Sequence, residues 1–378
     1  MRVDRRFKRD WSSTLMSSPI SLWKGIRMDA SILPHFPADE MSFPFIPHQR
    51  FLTTQHSLLK SVSRARPGDF VWLIAPSWSG KSELRRQLLP ELGGNPQLWP
   101  TGHLPLISVR AILNQGDKFN PKDFALRLHQ EITEPDTSWT NAMETGGDPD
   151  QTHVAAERRA SSVFWREVRA RTAERDLRLS FERMSRIRGL RYIVIEEAAN
   201  ICRVPKSQSS RNYMLGIMAL VEEIGCVAIM IGTHEASTLY EDSQEVFNRS
   251  DVLYMRPYGL NDNDDLRSYA SLIKAIGKGF PLSKGSLLQE NLELIALNGG
   301  GIFGPTLRYL MRANEERCRN GSNTIELGHL RAASGTERNH RLLWGEIDAF
   351  NRLADGKRSL RLADFLTIKG SLPSEGDL

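Results

Sequence analysis

Cysteine is scarce in this chain. Cys202, Cys226 and Cys318 are scattered through 378 residues, odd in number and outside any metal-ligand spacing. That excludes a disulfide framework and a structural zinc site, and it suits a reducing cytosol, so a cytoplasmic protein is expected. No run of eighteen apolar residues occurs, so no membrane-spanning helix is expected. The first residues lack the apolar core of a secretory signal, so secretion is not expected. The nine histidines are dispersed without an H-E-x-x-H pair, which leaves metalloprotease chemistry without support. There is no internal repeat. An acidic excess is missing too: the formal charge is +5, a mild imbalance that permits nucleic-acid contact without requiring it.

An apolar share of 40% is enough for one large or two modest domains. The most informative stretch begins with the apolar run Phe70-Val71-Trp72-Leu73-Ile74, expected to be a buried strand. It continues as Ala75-Pro76-Ser77-Trp78-Ser79-Gly80-Lys81-Ser82 and enters the helix-forming run Glu83 to Leu89. A strand, a turn ending in Gly-Lys-Ser and a helix together make a P-loop. Its backbone N–H groups and the helix N-terminus converge on phosphate, Lys81 is expected to reach the β- and γ-phosphates, and the Ser82 hydroxyl to ligate Mg²⁺. ATP and Mg²⁺ are the expected cofactors. Two residues depart from the usual pattern: Ala75 stands where a first glycine is common, and bulky Trp78 sits mid-loop, either capping the nucleotide or lying on the surface.

Around this motif apolar, β-branched runs alternate with amphipathic ones. Strands are expected at Leu104 to Arg110, Tyr192 to Ile195, Val227 to Ile231 and Val252 to Met255. Helices are expected at Gln49 to Val62, Pro121 to Glu131, Val154 to Arg188 and Arg211 to Ile224. Alternation of this kind predicts a parallel sheet covered on both faces. From Asp262 onward the pattern is helical only (Asp264 to Ile276, Leu287 to Leu297, Phe303 to Arg317, Ile325 to Ala333), so a domain boundary is expected near residue 260. Residues 134–152 are polar and read as a loop. Two basic features stand out. Arg2, Arg5, Arg6, Lys8 and Arg9 suggest a basic arm. From Glu157 to Arg191, eleven arginines face five acidic residues, as either a solvated helix face or a surface for DNA or a partner.

Nucleotide hydrolysis also needs a carboxylate to anchor Mg²⁺ and a second to orient water. Ile193-Val194-Ile195-Glu196-Glu197 ends an apolar strand with both. Glu196 is the expected Mg²⁺ ligand, standing where Asp is common, and Glu197 the expected water-activating residue. Thr233, after the next strand, is the candidate for contact with the γ-phosphate or water; His234 is the weaker choice. Arg249 is a candidate to stabilise charge on the nucleotide of a neighbouring subunit. Arg308, one turn into the helix after Gly299-Gly300-Gly301, is a candidate phosphate contact; both arginines have the alternative of an ordinary surface position.

In this order the pieces resemble an AAA+ ATPase, and more narrowly the TnsC/TniB class of transposition regulators. The resemblance runs from about Phe45 to Arg317. It includes Ile46-Pro47-His48-Gln49-Arg50, Phe119-Asn120-Pro121-Lys122-Asp123-Phe124, Glu196-Glu197-Ala198-Ala199-Asn200, Ile231-Gly232-Thr233-His234-Glu235 and Phe247-Asn248-Arg249-Ser250. It implies an α/β nucleotide-binding domain with a parallel five-stranded sheet at 45–260 and a helical lid at 261–334; outside it, the sequence reads as a basic N-terminal extension at 1–44 and a C-terminal tail at 335–378 that is a candidate partner-binding segment. It further implies a homo-oligomeric ring or filament on duplex DNA that links a target-selector protein to a transposase, with hydrolysis driving disassembly. Lys118 and Lys122 are then candidates for sequence-independent DNA contact, with ordinary loop positions as the alternative. Two alternatives remain: a weakly hydrolysing nucleotide-binding scaffold, and another AAA+ branch such as a replication initiator or loader.

Overall fold

The computed structural model describes residues 46–137, 139, 172–205, 209–259 and 262–356. The N-terminal basic arm, the 140–171 part of the polar and arginine-rich segments, and residues 357–378 lie outside the described residues.

The α/β part runs α1 (Gln49–Arg64), β1 (Phe70–Ile74), α2 (Lys81–Gly93), β2 (Leu106–Arg110), α3 (Pro121–Thr133), α4 (Glu174–Ile187), β3 (Tyr192–Glu196), α5 (Ser210–Ile224) and β4 (Val227–Gly232). Two short helices, α6 (Thr238–Glu241) and α7 (Gln244–Asn248), lead into β5 (Ser250–Tyr254). The strands form one five-stranded sheet in the order β2-β3-β4-β1-β5, parallel throughout. β1 is fully buried because the sheet has a core on each face. Phe70, Trp72 and Ile74 enter one, and Val71 and Leu73 enter the other with Ile229, Ile231, Leu84 and Leu88. A strand covered on both sides reads as a continuous apolar run rather than an alternating one.

Two strand starts differ from expectation for local reasons. β2 starts at Leu106 because Pro105 has no N–H for the ladder, while its carbonyl accepts from Arg191 and Tyr192. β5 starts at Ser250 because its register with β1 extends down to Phe70.

After β5 the described chain is helical: α8 (Asn263–Gly277), α9 (Leu287–Glu290), α10 (Leu292–Gly299), α11 (Phe303–Arg319), α12 (Leu327–Ala332) and α13 (Glu337–Ala354). The single helix expected over Leu287 to Leu297 is split at Asn291, whose side-chain amide donates to the Leu287 carbonyl and competes with the backbone ladder. α13 buries Ile347 and Phe350, the latter edge-on to Tyr254 at 6.1 Å. A parallel five-stranded sheet carrying a P-loop, flanked by helices and followed by a helical region, is the architecture the sequence pattern predicts.

Candidate nucleotide site

The parallel register brings the carboxyl ends of three strands to one edge: Ile74 of β1 pairs with Gly232 of β4, and Glu196 of β3 with Ile231. Ligands of open α/β sheets bind at that edge. The Ala75 N–H donates to the Gly232 carbonyl at 3.1 Å, closing the loop onto the sheet. Ala75 does not have a positive φ, so the alanine costs nothing where glycine is common; Trp78 (φ 62°) and Gly80 (φ 100°) take the left-handed turns instead. Gly80 caps α2 in that conformation, and left-handed turns of this sort point successive N–H groups into one concavity. Within the loop the Ser79 hydroxyl is buried and has no hydrogen-bond partner. A buried polar group without a partner is costly, and a phosphate oxygen would satisfy it.

Lys81 turns back on its own loop, donating to the carbonyls of Pro76 at 2.7 Å and Ala75 at 3.1 Å. Burial lowers its pKa to about 8, although the carboxylates of Glu197 and Glu346 pull the other way. The Ser77 N–H is taken by a carboxylate oxygen of Glu346 on α13, at 2.7 Å.

The two acids have arginine partners that the motif spacing did not reveal. Glu196 lies 3.1 Å from Arg85 Nε on α2, and Arg85 also donates to the Ser108 hydroxyl of β2 at 3.0 Å. Burial raises the Glu196 pKa, opposed by Arg85 and Arg110. Glu197 has φ 54°, a left-handed conformation that a residue with a side chain adopts at a cost. Its carboxylate accepts from Arg110, the last residue of β2, at 3.3 Å. Ser82 and Glu196 offer hard oxygen donors. Among the described residues no group of three or more His, Cys, Asp or Glu could hold a metal, so a cation here would take its remaining ligands from phosphate and water. That is the Mg²⁺ pattern, and the donor set fits it.

Thr233 follows Gly232 at the same edge, while Nδ1 of His234 is buried without a partner. Arg308 stacks over the Trp78 ring, 4.1 Å from its centroid, and Trp78 is 63% exposed, so these two form a rim rather than the floor. Arg249 does not join its own chain's site. It immediately precedes β5, its carbonyl accepts from Phe70 at the start of β1, and its guanidinium pairs with Glu222 at 3.1 Å. The length of β1, about 16 Å at ~3.3 Å per residue, separates it from the P-loop. Lys118 is exposed and Lys122 half-buried at the start of α3, beyond β2.

Contacts made by His48, Arg50 and the P-loop couple this site to the helical region. His48 stacks on Phe303 of α11 at 5.9 Å and hydrogen-bonds the Tyr258 hydroxyl at 2.9 Å; burial lowers its pKa to about 4. Arg50 pairs with Asp265 of α8 at 2.6 Å. The Gly304 N–H donates to the Trp78 carbonyl at 3.0 Å, so the first turn of α11 is bonded directly to the P-loop. A Cβ at Gly304 would lie 2.5 Å from that carbonyl oxygen and 2.6 Å from Trp78 Cβ. Gly304→Ala is therefore expected to cost about 1–3 kcal/mol, seen as a lower urea midpoint; an unchanged midpoint would show that the junction has room to yield.

No family model matches the chain, and no curated protein matches it. Similar solved structures include the Walker-type ATPase PABY2304 of Pyrococcus abyssi, 16% identical with a TM-score of 0.45, covering 86% of this chain and 85% of that chain. ORC2 of Aeropyrum pernix is 12% identical with a TM-score of 0.46, covering 80% and 72%. Cdc6p from Pyrobaculum aerophilum is 15% identical with a TM-score of 0.47, covering 76% and 67%. Among the described residues no helix is long and apolar enough to cross a membrane.

Proposed function

We propose that this chain is an ATPase that binds Mg-ATP at the P-loop, hydrolyses it, and uses nucleotide state to control its assembly on duplex DNA. The observation that carries this reading is the convergence of an unpartnered Ser79 hydroxyl, Lys81, and the adjacent carboxylates Glu196 and Glu197 at the carboxyl ends of β1 and β3. Ser82 and Glu196 would hold Mg²⁺, which when bound offsets negative charge on the β- and γ-phosphates. Glu197 orients the attacking water and accepts its proton as the bond from the γ-phosphorus to the bridging oxygen breaks and ADP leaves.

Arg249 contributes, on this view, to a neighbouring subunit's nucleotide in a ring or filament, which agrees with its distance from its own P-loop. Lys118 and Lys122 contact DNA phosphates without reading sequence. The biological setting we favour is regulation of transposition, with the protein linking a target selector to a transposase. A replication initiator or loader would use the same site. An integrase-type transposase gene and a target-selector gene beside this one would support the first setting; their absence would support the second. Duplex-DNA binding measured with ATP, with ADP and without nucleotide tests the switch. Binding should be strongest with ATP and fall steeply with salt; equal binding in all three states would overturn it.

The state of Lys81 gives a pH signature. The folded chain releases this proton near pH 8, against 10.5 when the group is unperturbed. Folding is therefore penalised below pH 8, and the penalty fades as pH rises toward 10.5, where the unfolded chain also loses the proton. Triphosphate favours the ammonium, so ATP binding at pH 9 is expected to take up about one proton, against almost none at pH 7. Calorimetry in buffers of different ionisation enthalpy measures this. No uptake at pH 9 would mean that Lys81 does not meet the phosphates.

A further inference from the structure

Glu346 brings a carboxylate onto the P-loop from α13, outside the α/β layer. Its oxygen lies 2.7 Å from the Ser77 N–H, one of the donors a phosphate would need, and it adds negative potential at Lys81. The side chain is half-buried and sits midway along α13. That helix is tied down on both sides of the site. Toward the helical region, Trp344 Nε1 donates to the Leu297 carbonyl at 3.1 Å, and His340 meets the Asn298 side chain at 3.0 Å. Toward the sheet, Phe350 packs on Tyr254, Arg256 donates to the Ala354 carbonyl at 2.7 Å, and Arg256 also pairs with Asp355. An eighteen-residue helix spans about 27 Å, enough to strap one part to the other across the phosphate loop.

We infer that Glu346 is an internal stand-in for phosphate, and that α13 closes the nucleotide site until a nucleoside triphosphate or diphosphate displaces this carboxylate. The inference rests on the nucleotide-binding reading above and adds a consequence to it. A carboxylate and a phosphate oxygen cannot share the Ser77 N–H, and two anions at that distance repel. Nucleotide entry therefore ejects Glu346 and loosens the hold on α13 in step with occupancy. The closed form also lowers apparent affinity, since only the fraction with Glu346 withdrawn can bind.

The test uses the full chain, with Glu346→Gln, which keeps size and an acceptor but removes charge, and Glu346→Ala, which removes both. Calorimetry with ATPγS and ADP in Mg²⁺ gives affinity, and amide hydrogen exchange over 337–354 reports on the helix. Glu346→Ala is expected to bind at least about tenfold tighter than the parent chain, with Glu346→Gln between them. In the parent, exchange over 337–354 should rise when ATPγS is added; in Glu346→Ala it should be raised already without nucleotide. Parent and both variants binding equally, or the variants binding more weakly, would overturn the displacement while leaving nucleotide binding intact. No binding by any of the three chains would overturn the nucleotide-binding reading and the displacement with it. Glu346→Gln, close to isosteric, keeps the comparison valid if the alanine variant folds poorly.

Discussion

Lys81→Ala is expected to weaken ATP binding by about 10- to 150-fold, the worth of one charge-assisted contact of about 1.5–3 kcal/mol. Two effects oppose each other at this position. In the nucleotide-free chain the ammonium is partly desolvated and held by the Ala75 and Pro76 carbonyls, an arrangement that costs enough to lower its pKa to about 8. Removing it relieves that cost, so the fold is not expected to weaken. With triphosphate present the balance reverses, because the phosphates supply the counter-charge that the carbonyls only approximate. Alanine is also a strong helix former, so the first turn of α2 survives. Fluorescence anisotropy with a labelled, non-hydrolysable ATP analogue measures the affinity, and a change of less than about twofold would remove Lys81 from the phosphate site.

Glu197→Gln should leave ATP binding nearly unchanged while lowering turnover by about 100- to 10,000-fold. The amide keeps the length of the side chain, and its oxygen can accept from Arg110 as the carboxylate does. Glutamine at φ 54° carries the same backbone cost as glutamate, so the strand end should hold its shape. What is lost is a base able to accept the proton of water. Phosphate release under saturating ATP is the readout. Unchanged turnover would exclude Glu197 from the chemistry. Absence of turnover in the parent chain, with binding intact, would favour a nucleotide-responsive scaffold.

The parts of this site that lie on one short segment were legible in sequence. The P-loop is contiguous, and its strand and helix are flagged by an apolar run and a helix-forming run on either side of Gly80-Lys81-Ser82. Glu196 and Glu197 were legible for the same reason, as charge ending an apolar strand. What could not be read is pairing across distance. Arg110 meets Glu197 only because β2 and β3 are neighbours in register, and Glu346 meets Ser77 across 269 residues of chain. Neither carries a local signal: an arginine ending a strand and a glutamate on an amphipathic helix are ordinary surface patterns. Arg85 was nearer at hand, one turn after Lys81, yet its partner depends on where β3 ends. The break at Asn291 was missed because a side-chain amide capturing a carbonyl leaves hydrophobic periodicity intact.

The sheet order also bears on how the chain reaches this state. β1 sits between β4 and β5, so Phe70 finds its first strand partner, Ala228, roughly 160 residues later. At ribosomal rates of about 5–20 residues per second, some 8–32 s pass before that partner is made. Through that interval Phe70 to Ile74 is a fully apolar segment without a ladder partner on either side. The strand that carries the phosphate loop is thus among the first made and among the last completed. Folding should be slow, and the nascent chain most prone to aggregation before residue 228 emerges.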